Sequence, residues 1–250
     1  MSATPPSGDT VIRTGRPTRE ELVDVVIELL RTVGPQAVQA RRIAAEAGAT
    51  TIVVYRRFGG MPQLVTAVVE AGFDRLSTVF ADRPEFDDPV AGFCDLALTY
   101  RGAAHANPHL FDLMFGLSNP GGYRADQWAS APDGAGVPGR RSSYFDRAYE
   151  PLVRYARLAI AQGHLREGDP ESIAAQLWSF SHGFVVLELA GHFAPFADPL
   201  REVFAPMATN LVVGLGDDPG HAAAVMRSAL TPAADDGSVR EAGRTWPTHD

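Results

Sequence analysis

Apolar residues recur along this chain at steps of three and four, tracing single helical faces rather than the alternate positions of a strand. The first run is Leu22, Val25, Val26, Leu29, Leu30 and Val33. It starts behind Thr18-Arg19-Glu20-Glu21, a hydroxyl followed three places on by a carboxylate, and stops at Gly34-Pro35. Ile43, Ala44 and Ala47 then mark a short helix closed by Gly48, after which Thr50 is placed to cap a second one whose anchors, Val54 and Phe58, are four apart. A long helix follows on Leu64, Val65, Val68, Val69, Phe73, Leu76 and Phe80, ending before Arg83-Pro84. Further helices are predicted over 88–106, from Asn107-Pro108 through Phe115, over 142–162 with Gly163 as terminator, over 170–192 and over 198–214. No stretch alternates polar with apolar, so the fold class is all-α.

The periodicity fails in two places. Residues 118–139 are rich in glycine and proline with no repeat, which predicts a mobile loop, and 216–250, a short helix around 222–230 aside, read as a tail with too little apolar surface to order itself. The division expected is a three-helix unit at 13–60, a connecting helix at 61–80, a helical domain at 81–214, and disordered ends at 1–12 and 216–250.

The two short helices around Gly48 make a helix-turn-helix. Thr51, Ile52 and Val53 face away from the anchors near the start of the second helix, where such a helix meets base edges. Tyr55, Arg56 and Arg41 are placed for phosphates, with Thr50 at the helix start and Arg16 in the preceding arm reaching the backbone or the minor groove.

This segment resembles the amino-terminal domain of TetR-type transcriptional repressors. The resemblance rests on Ile43-Ala44, Ala47-Gly48, Tyr55, Phe58 and Leu64, all at the family's spacing, and covers 13 to about 76. Two positions depart from it. Met61, followed by Pro62, stands where the family usually carries a lysine, and Gln39 or its neighbours replace the Ser or Thr that caps the second helix. Backbone N–H groups at the start of the 61–80 helix remain available for a phosphate.

A net charge of −8 sits badly with nucleic acid until the charges are located. Residues 1–60 hold eight arginines against six acids, whereas 61–250 hold fourteen against twenty-four, so the basic end is the nucleic-acid end. All 22 basic residues are arginine, which we read as codon bias. The one cysteine, Cys94, excludes a disulfide framework or a thiolate metal cluster within the chain. The polar amino terminus and the lack of a long apolar run predict a cytoplasmic protein with no membrane partner.

In the second half, Trp178-Ser179-Phe180-Ser181-His182-Gly183, with Tyr100-Arg101 and the run from Asn107 to Gly116, is similar to the ligand-binding domain of one TetR subclass, the WHG type. That resemblance implies a homodimer whose second domain senses a small molecule. The pocket is expected among Phe111, Met114 and Phe115, the helix bearing Tyr144, Phe145 and Tyr155, and the helix bearing Trp178 and His182. Its apolar walls predict a hydrophobic effector. The helices at 170–192 and 198–214 carry more apolar residues than one stripe needs, Phe204 among them, and are expected to pair across a two-fold axis.

No nucleophile elbow, phosphate-binding glycine loop or metal-ligand motif is present, so no enzyme, cofactor or metal is expected. Glu188 and His192, four apart, read as a structural pair, and Pro108 separates His105 from His109. The reading is a ligand-released repressor on a palindromic DNA operator. The alternative is a helical interaction or ligand-binding module that has lost DNA binding, with Met61 as its one sign.

Overall fold

The computed structural model describes residues 16–123 and 142–231. Among these every regular element is helical: α1 (Arg19–Thr32), α2 (Ala40–Glu46), α3 (Thr51–Phe58), α4 (Met61–Ala81), α5 (Pro89–Ala106), α6 (Pro108–Met114), α7 (Ser143–Ala161), α8 (Pro170–Leu189), α9 (Ala205–Leu215) and α10 (Pro219–Ala229). The sequence signals explain most boundaries. Thr18 and Glu21 form a reciprocal capping box on α1. Asp88, Asn107, Ser142 and Asp169 each accept backbone N–H groups at the start of α5, α6, α7 and α8. Gly163, at φ +79°, ends the turn after α7. The expected restart by Thr50 is only half right: Thr50 is the N-cap of α3, but its hydroxyl makes no capping bond. Gln39 likewise does not cap α2 and turns its amide to the carbonyl of Gln36.

Helices α1 to α3 pack on one another through Leu22, Val26, Leu30, Ile43 and Val54, all essentially inaccessible. The long α4 leaves this unit and runs through the second domain, touching α1, α3, α5, α6 and α7. Gly72 allows that close passage, since a Cβ there would lie 2.6 Å from Met114 Sδ. Two ion pairs lock α4 to its neighbours: Arg75, itself buried, to Asp24 on α1, and Asp74 to Arg147 on α7. Burial pulls the Arg75 guanidinium below its ordinary value, while Asp24 opposes that shift. At the joint, the buried Asn107 donates to the carbonyl of Ile27 at 3.4 Å and accepts the N–H of Leu110 at 3.1 Å.

Three expectations change. The carboxy-terminal tail does not begin at 216, because α10 packs on α5 and α9 with Ala222, Val225 and Met226 buried, enough apolar surface to order it. The loop reading of 118–139 does not hold for its first part: Pro120–Gly122 forms a short turn against the Pro35–Ala37 turn, with Pro120 buried. The rest of that loop, the 1–12 arm and residues beyond 231 lie outside the described residues. The helix expected over 198–214 begins as a wider π-turn at Leu200–Phe204 before α9 proper.

Candidate functional site

The first candidate surface is the outer face of α2 and α3. Val54 and Phe58 fix α3 to the core, and the Arg19 guanidinium lies 4.8 Å over the Phe58 ring, clamping the end of the helix. The turn before α3 depends on Gly48 at φ +61°, with Ala49 N–H bonded to Ala44 O at 2.8 Å. What α3 then presents is narrower than its sequence suggests. Ile52 is 68% exposed and Tyr55 50%, whereas Thr51 and Val53 are half-buried and Val53 packs on the core. Arg16, Arg41, Arg56 and Thr50 are all exposed, as are Arg42 and Arg57. Among the described residues no carboxylate lies within ion-pair distance of Arg41, Arg42 or Arg56. The face thus combines one projecting aliphatic side chain with a phenol and several guanidinium groups that have no acidic partner among the described residues. It has the chemistry of phosphate attachment around a small apolar reader. Met61 is buried, so where the family's lysine would stand this chain has a core residue, and the exposed side chains at the start of α4 are Pro62 and Gln63.

The second candidate lies in the helical domain. Phe111, Phe115, Phe145, Trp178 and His182 do come together, with Phe73, Tyr100 and Tyr149, in one continuous aromatic cluster. The rings are in mutual contact: Phe115 and His182 have centroids 4.6 Å apart and Phe111 and Phe115 4.9 Å apart. Tyr100 and His182 share a hydrogen bond of 2.7 Å. Burial pushes the Tyr100 phenol well up and holds the His182 imidazole below its ordinary value, so both are neutral near neutrality.

The other three residues of the predicted pocket set make contacts of their own. Met114 packs on Gly72, Tyr144 lies under Arg147, and Tyr155 fits against Gly92 and Phe93. The cavity beside the cluster is on its other side, behind Tyr100 and Trp178, walled by Phe93, Leu177, Phe204, Ala208 and Met226. Of the eight expected pocket residues only Trp178 lines it. Its volume is about 40 Å³, room for a few waters. Sequence reasoning missed it because its walls come from six helices whose apolar residues look like ordinary core. Cys94 is also in the wall; burial pushes its thiol up to about 12, which keeps it an unreactive apolar contact beside Met226.

Two further expectations are corrected. Glu188 does not pair with His192, which is exposed; it is held by a two-pronged bond from Arg101 at 2.7 and 2.8 Å and by His105 at 2.8 Å. Burial alone would raise the Glu188 carboxyl, but these partners outweigh it and hold the group below its usual value. Phe204, expected at a subunit interface, is buried within the chain against Phe180 and Phe184. The apolar side chains that α8 and α9 do leave open are Leu187 at 45% and Met207 at 51%, and Met207 borders a surface groove with Phe180 and Leu211. Among the described residues no helix is long and apolar enough to cross a membrane.

Comparison with known proteins agrees with this arrangement. Residues 22–68 match the family model of the tetR family of bacterial regulatory proteins, and residues 93–211 match that of the tetracyclin repressor-like C-terminal domain. Among solved structures, a protein of unknown function from Rhodococcus sp. RHA1 is 24% identical with a TM-score of 0.64, covering 84% of this chain and 100% of that one. RolR in complex with resorcinol is 15% identical with a TM-score of 0.55, covering 87% and 95%. A gamma-butyrolactone receptor described as ArpA-like is 17% identical with a TM-score of 0.51, covering 83% and 94%. At these identities the likeness to solved structures is one of fold. No curated protein matches the sequence.

Proposed function

The chain belongs to the TetR family of transcriptional regulators, and from that premise we propose that it is a repressor whose homodimer binds a two-fold DNA operator and is released by a hydrophobic small molecule. The observation that carries the DNA reading is the exposed face of α3, where Ile52 and Tyr55 project between arginines that have no acidic partner among the described residues. Ile52 meets a base edge, best a thymine methyl, while Arg41, Arg56 and Tyr55 hold phosphates and Arg16 adds a contact from the arm. Thr50, Thr51 and Val53 then set the depth of α3 in the groove rather than reading sequence. This face also favours a working DNA binder over a module that has lost the activity.

The effector enters behind Tyr100 and Trp178. A cavity of about 40 Å³ is far below the several hundred Å³ of a typical ligand site, so binding has to displace side chains. That displacement is what makes a switch possible. A ligand that wedges α5 from α8 disturbs the aromatic cluster, and the cluster includes Phe73 of α4. Because α4 is clamped to α1 by Arg75 and Asp24, its shift moves the DNA-binding unit and changes the spacing of two recognition helices in a dimer. The subunits pair through α8 and α9, with Met207 and Leu187 in the contact.

Electrophoretic mobility shift with the DNA adjoining the chain's own gene tests this reading. A retarded, salt-sensitive and sequence-selective complex is the expected result. Binding no stronger than to random duplex, over the whole adjoining region, would overturn it.

A further inference from the structure

Outside both candidate sites, three side chains that no local motif connects converge at one end of α5 and α10. Asp88 is the N-cap of α5, His164 sits in the turn after α7, and His221 lies in the first turn of α10. Each offers one ligand atom, and these atoms all lie within 4.8 Å of one another. We propose that Asp88, His164 and His221 form a binding site for one divalent transition-metal ion of the zinc class.

The orientation of the two imidazoles carries the argument. Both rings turn Nδ1 toward the same carboxylate, Asp217: His164 Nδ1 is 3.1 Å from Oδ1, and His221 Nδ1 is 3.0 Å from Oδ1 and 2.8 Å from Oδ2. Asp217 is itself buried, its side chain 2% exposed. A carboxylate accepting from Nδ1 fixes the tautomer with the lone pair on Nε2 and raises the basicity of that nitrogen, which is the outer support seen around metal-bound histidines. Here one buried aspartate supports two histidines at once. The rings stack, with centroids 4.6 Å apart and planes at 28°, so their Nε2 atoms lie on the same side, away from Asp217.

On that side stands Asp88. Its Oδ1 is occupied, accepting the N–H groups of Val90 at 2.9 Å and Ala91 at 3.4 Å. Its Oδ2 is 3.1 Å from His221 Nε2 and accepts that N–H when the ring is protonated; an ion replaces the proton and takes Oδ2 as a monodentate anionic ligand. The set is therefore two imidazoles and one carboxylate, with solvent able to fill a fourth position because Asp88, His164 and His221 are each about a third exposed. That donor set and an open place suit Zn²⁺ better than Ca²⁺ or Mg²⁺, which take oxygen ligands. Bonds of about 2.0–2.1 Å put tetrahedral ligand atoms about 3.3 Å apart, so from a spread of up to 4.8 Å the site must contract by up to about 1.5 Å. Partly exposed side chains can rotate that far.

An ion here would tie α10 to α5 and to the turn after α7. Met226 of α10 and Cys94 of α5 both line the cavity, so the metal would brace one wall of it.

The test uses the untagged full chain, stripped with chelator, and ZnCl₂ titrated in competition with a chromophoric chelator. One equivalent per chain is expected, with a rise in thermal midpoint, and Co²⁺ in its place should give the visible bands of a four-coordinate site. In the double variant His164→Asn/His221→Asn that equivalent and both signatures should disappear. Asp88→Asn keeps a good helix cap and should weaken binding without unfolding the chain, and Asp217→Asn should weaken it about 10- to 100-fold. Absence of a tight equivalent in the parent protein would overturn the proposal. So would zinc that binds the double variant and the parent equally, which would place it on other histidines.

Discussion

The Tyr100 hydroxyl and His182 Nδ1, 2.7 Å apart, tie α5 to α8 at the boundary between the aromatic cluster and the small cavity. Tyr100 belongs to both, facing Phe111 and Phe115 on one side and the cavity on the other. Replacing Tyr100 by Phe keeps the ring and removes the bond, so thermal unfolding should show a loss of about 1 kcal/mol. A midpoint equal to that of the parent protein would mean the pair contributes no net stability.

The same pair sets a pH response. Burial holds the folded imidazole of His182 below the ordinary 6.5, so once the pH drops below about 6.5 the unfolded chain binds more protons at this site than the folded one. The contribution of neutral His182 is complete above 6.5 and is lost as the pH falls from there through the folded value. Thermal midpoints measured from pH 7.5 to 5 should therefore fall more steeply for the parent protein than for His182→Gln. Parallel curves would remove His182 from the acid response.

On the DNA face, Arg56→Ala should weaken binding to operator and random DNA alike and reduce the salt slope by about one unit. Ile52→Ala should act differently, because its side chain, 68% exposed, supports no core. It should leave stability unchanged, keep the salt slope and lose about 1 kcal/mol of operator affinity through one lost apolar contact. If Ile52→Ala weakens random DNA as much as operator, this side chain does not read bases.

How far the sequence could be read depended on whether the signal was local. The caps at Thr18, Asn107 and Ser142, the stop at Gly163 and the anchors Val54 and Phe58 are set within a few residues, and each predicted element is present. Burial of a given apolar side chain is not local. Phe204 looked like a surplus face, but the π-turn at Leu200–Phe204 carries it into the chain's own core beside Phe180. For the same reason Val53 read as a base contact and is in fact half-buried. Asp88, His164 and His221 were invisible because three separate turns bring them together, and Glu188 found Arg101 on another helix rather than a neighbour on its own.

Gly92 marks a close approach of α5 and α7, since a Cβ there would overlap the Tyr155 ring. Tyr155 is buried and its hydroxyl accepts the N–H of Phe86 at 3.4 Å, so the ring has no free path outward. Gly92→Ala should therefore destabilise by about 1–3 kcal/mol through overpacking, read as a lower denaturation midpoint with unchanged slope. An unchanged midpoint would show that the helices can separate at no cost.

The subunit contact is better probed at Met207 than at Phe204, where a charge would unfold the core. Met207, half exposed on α9, can accept glutamate with little change in the stability of the single chain. Met207→Glu should sediment as a monomer and lose the cooperative retention of a two-half-site operator. A variant that still sediments as a dimer would move the interface away from α8 and α9.

Filling the cavity separates ligand response from DNA binding. Ala208 is buried and lines the cavity with Leu177 and Met226, and a cavity of about 40 Å³ can take up much of a larger aliphatic side chain. Ala208→Leu should thus keep the fold, because it fills space in place of forcing rotamers. It leaves α3 untouched, so the mobility shift should persist at the same protein concentration. What should change is release. A hydrophobic compound that raises the parent protein's thermal midpoint and frees its DNA must push into the space behind Tyr100 and Trp178, which leucine now occupies. The variant should therefore need at least about tenfold more of that compound for the same release, the equivalent of about 1.4 kcal/mol. If it is released at the parent's concentration, the compound binds outside this cavity, and the path from Trp178 through Phe73 to α4 is not the one that carries the signal.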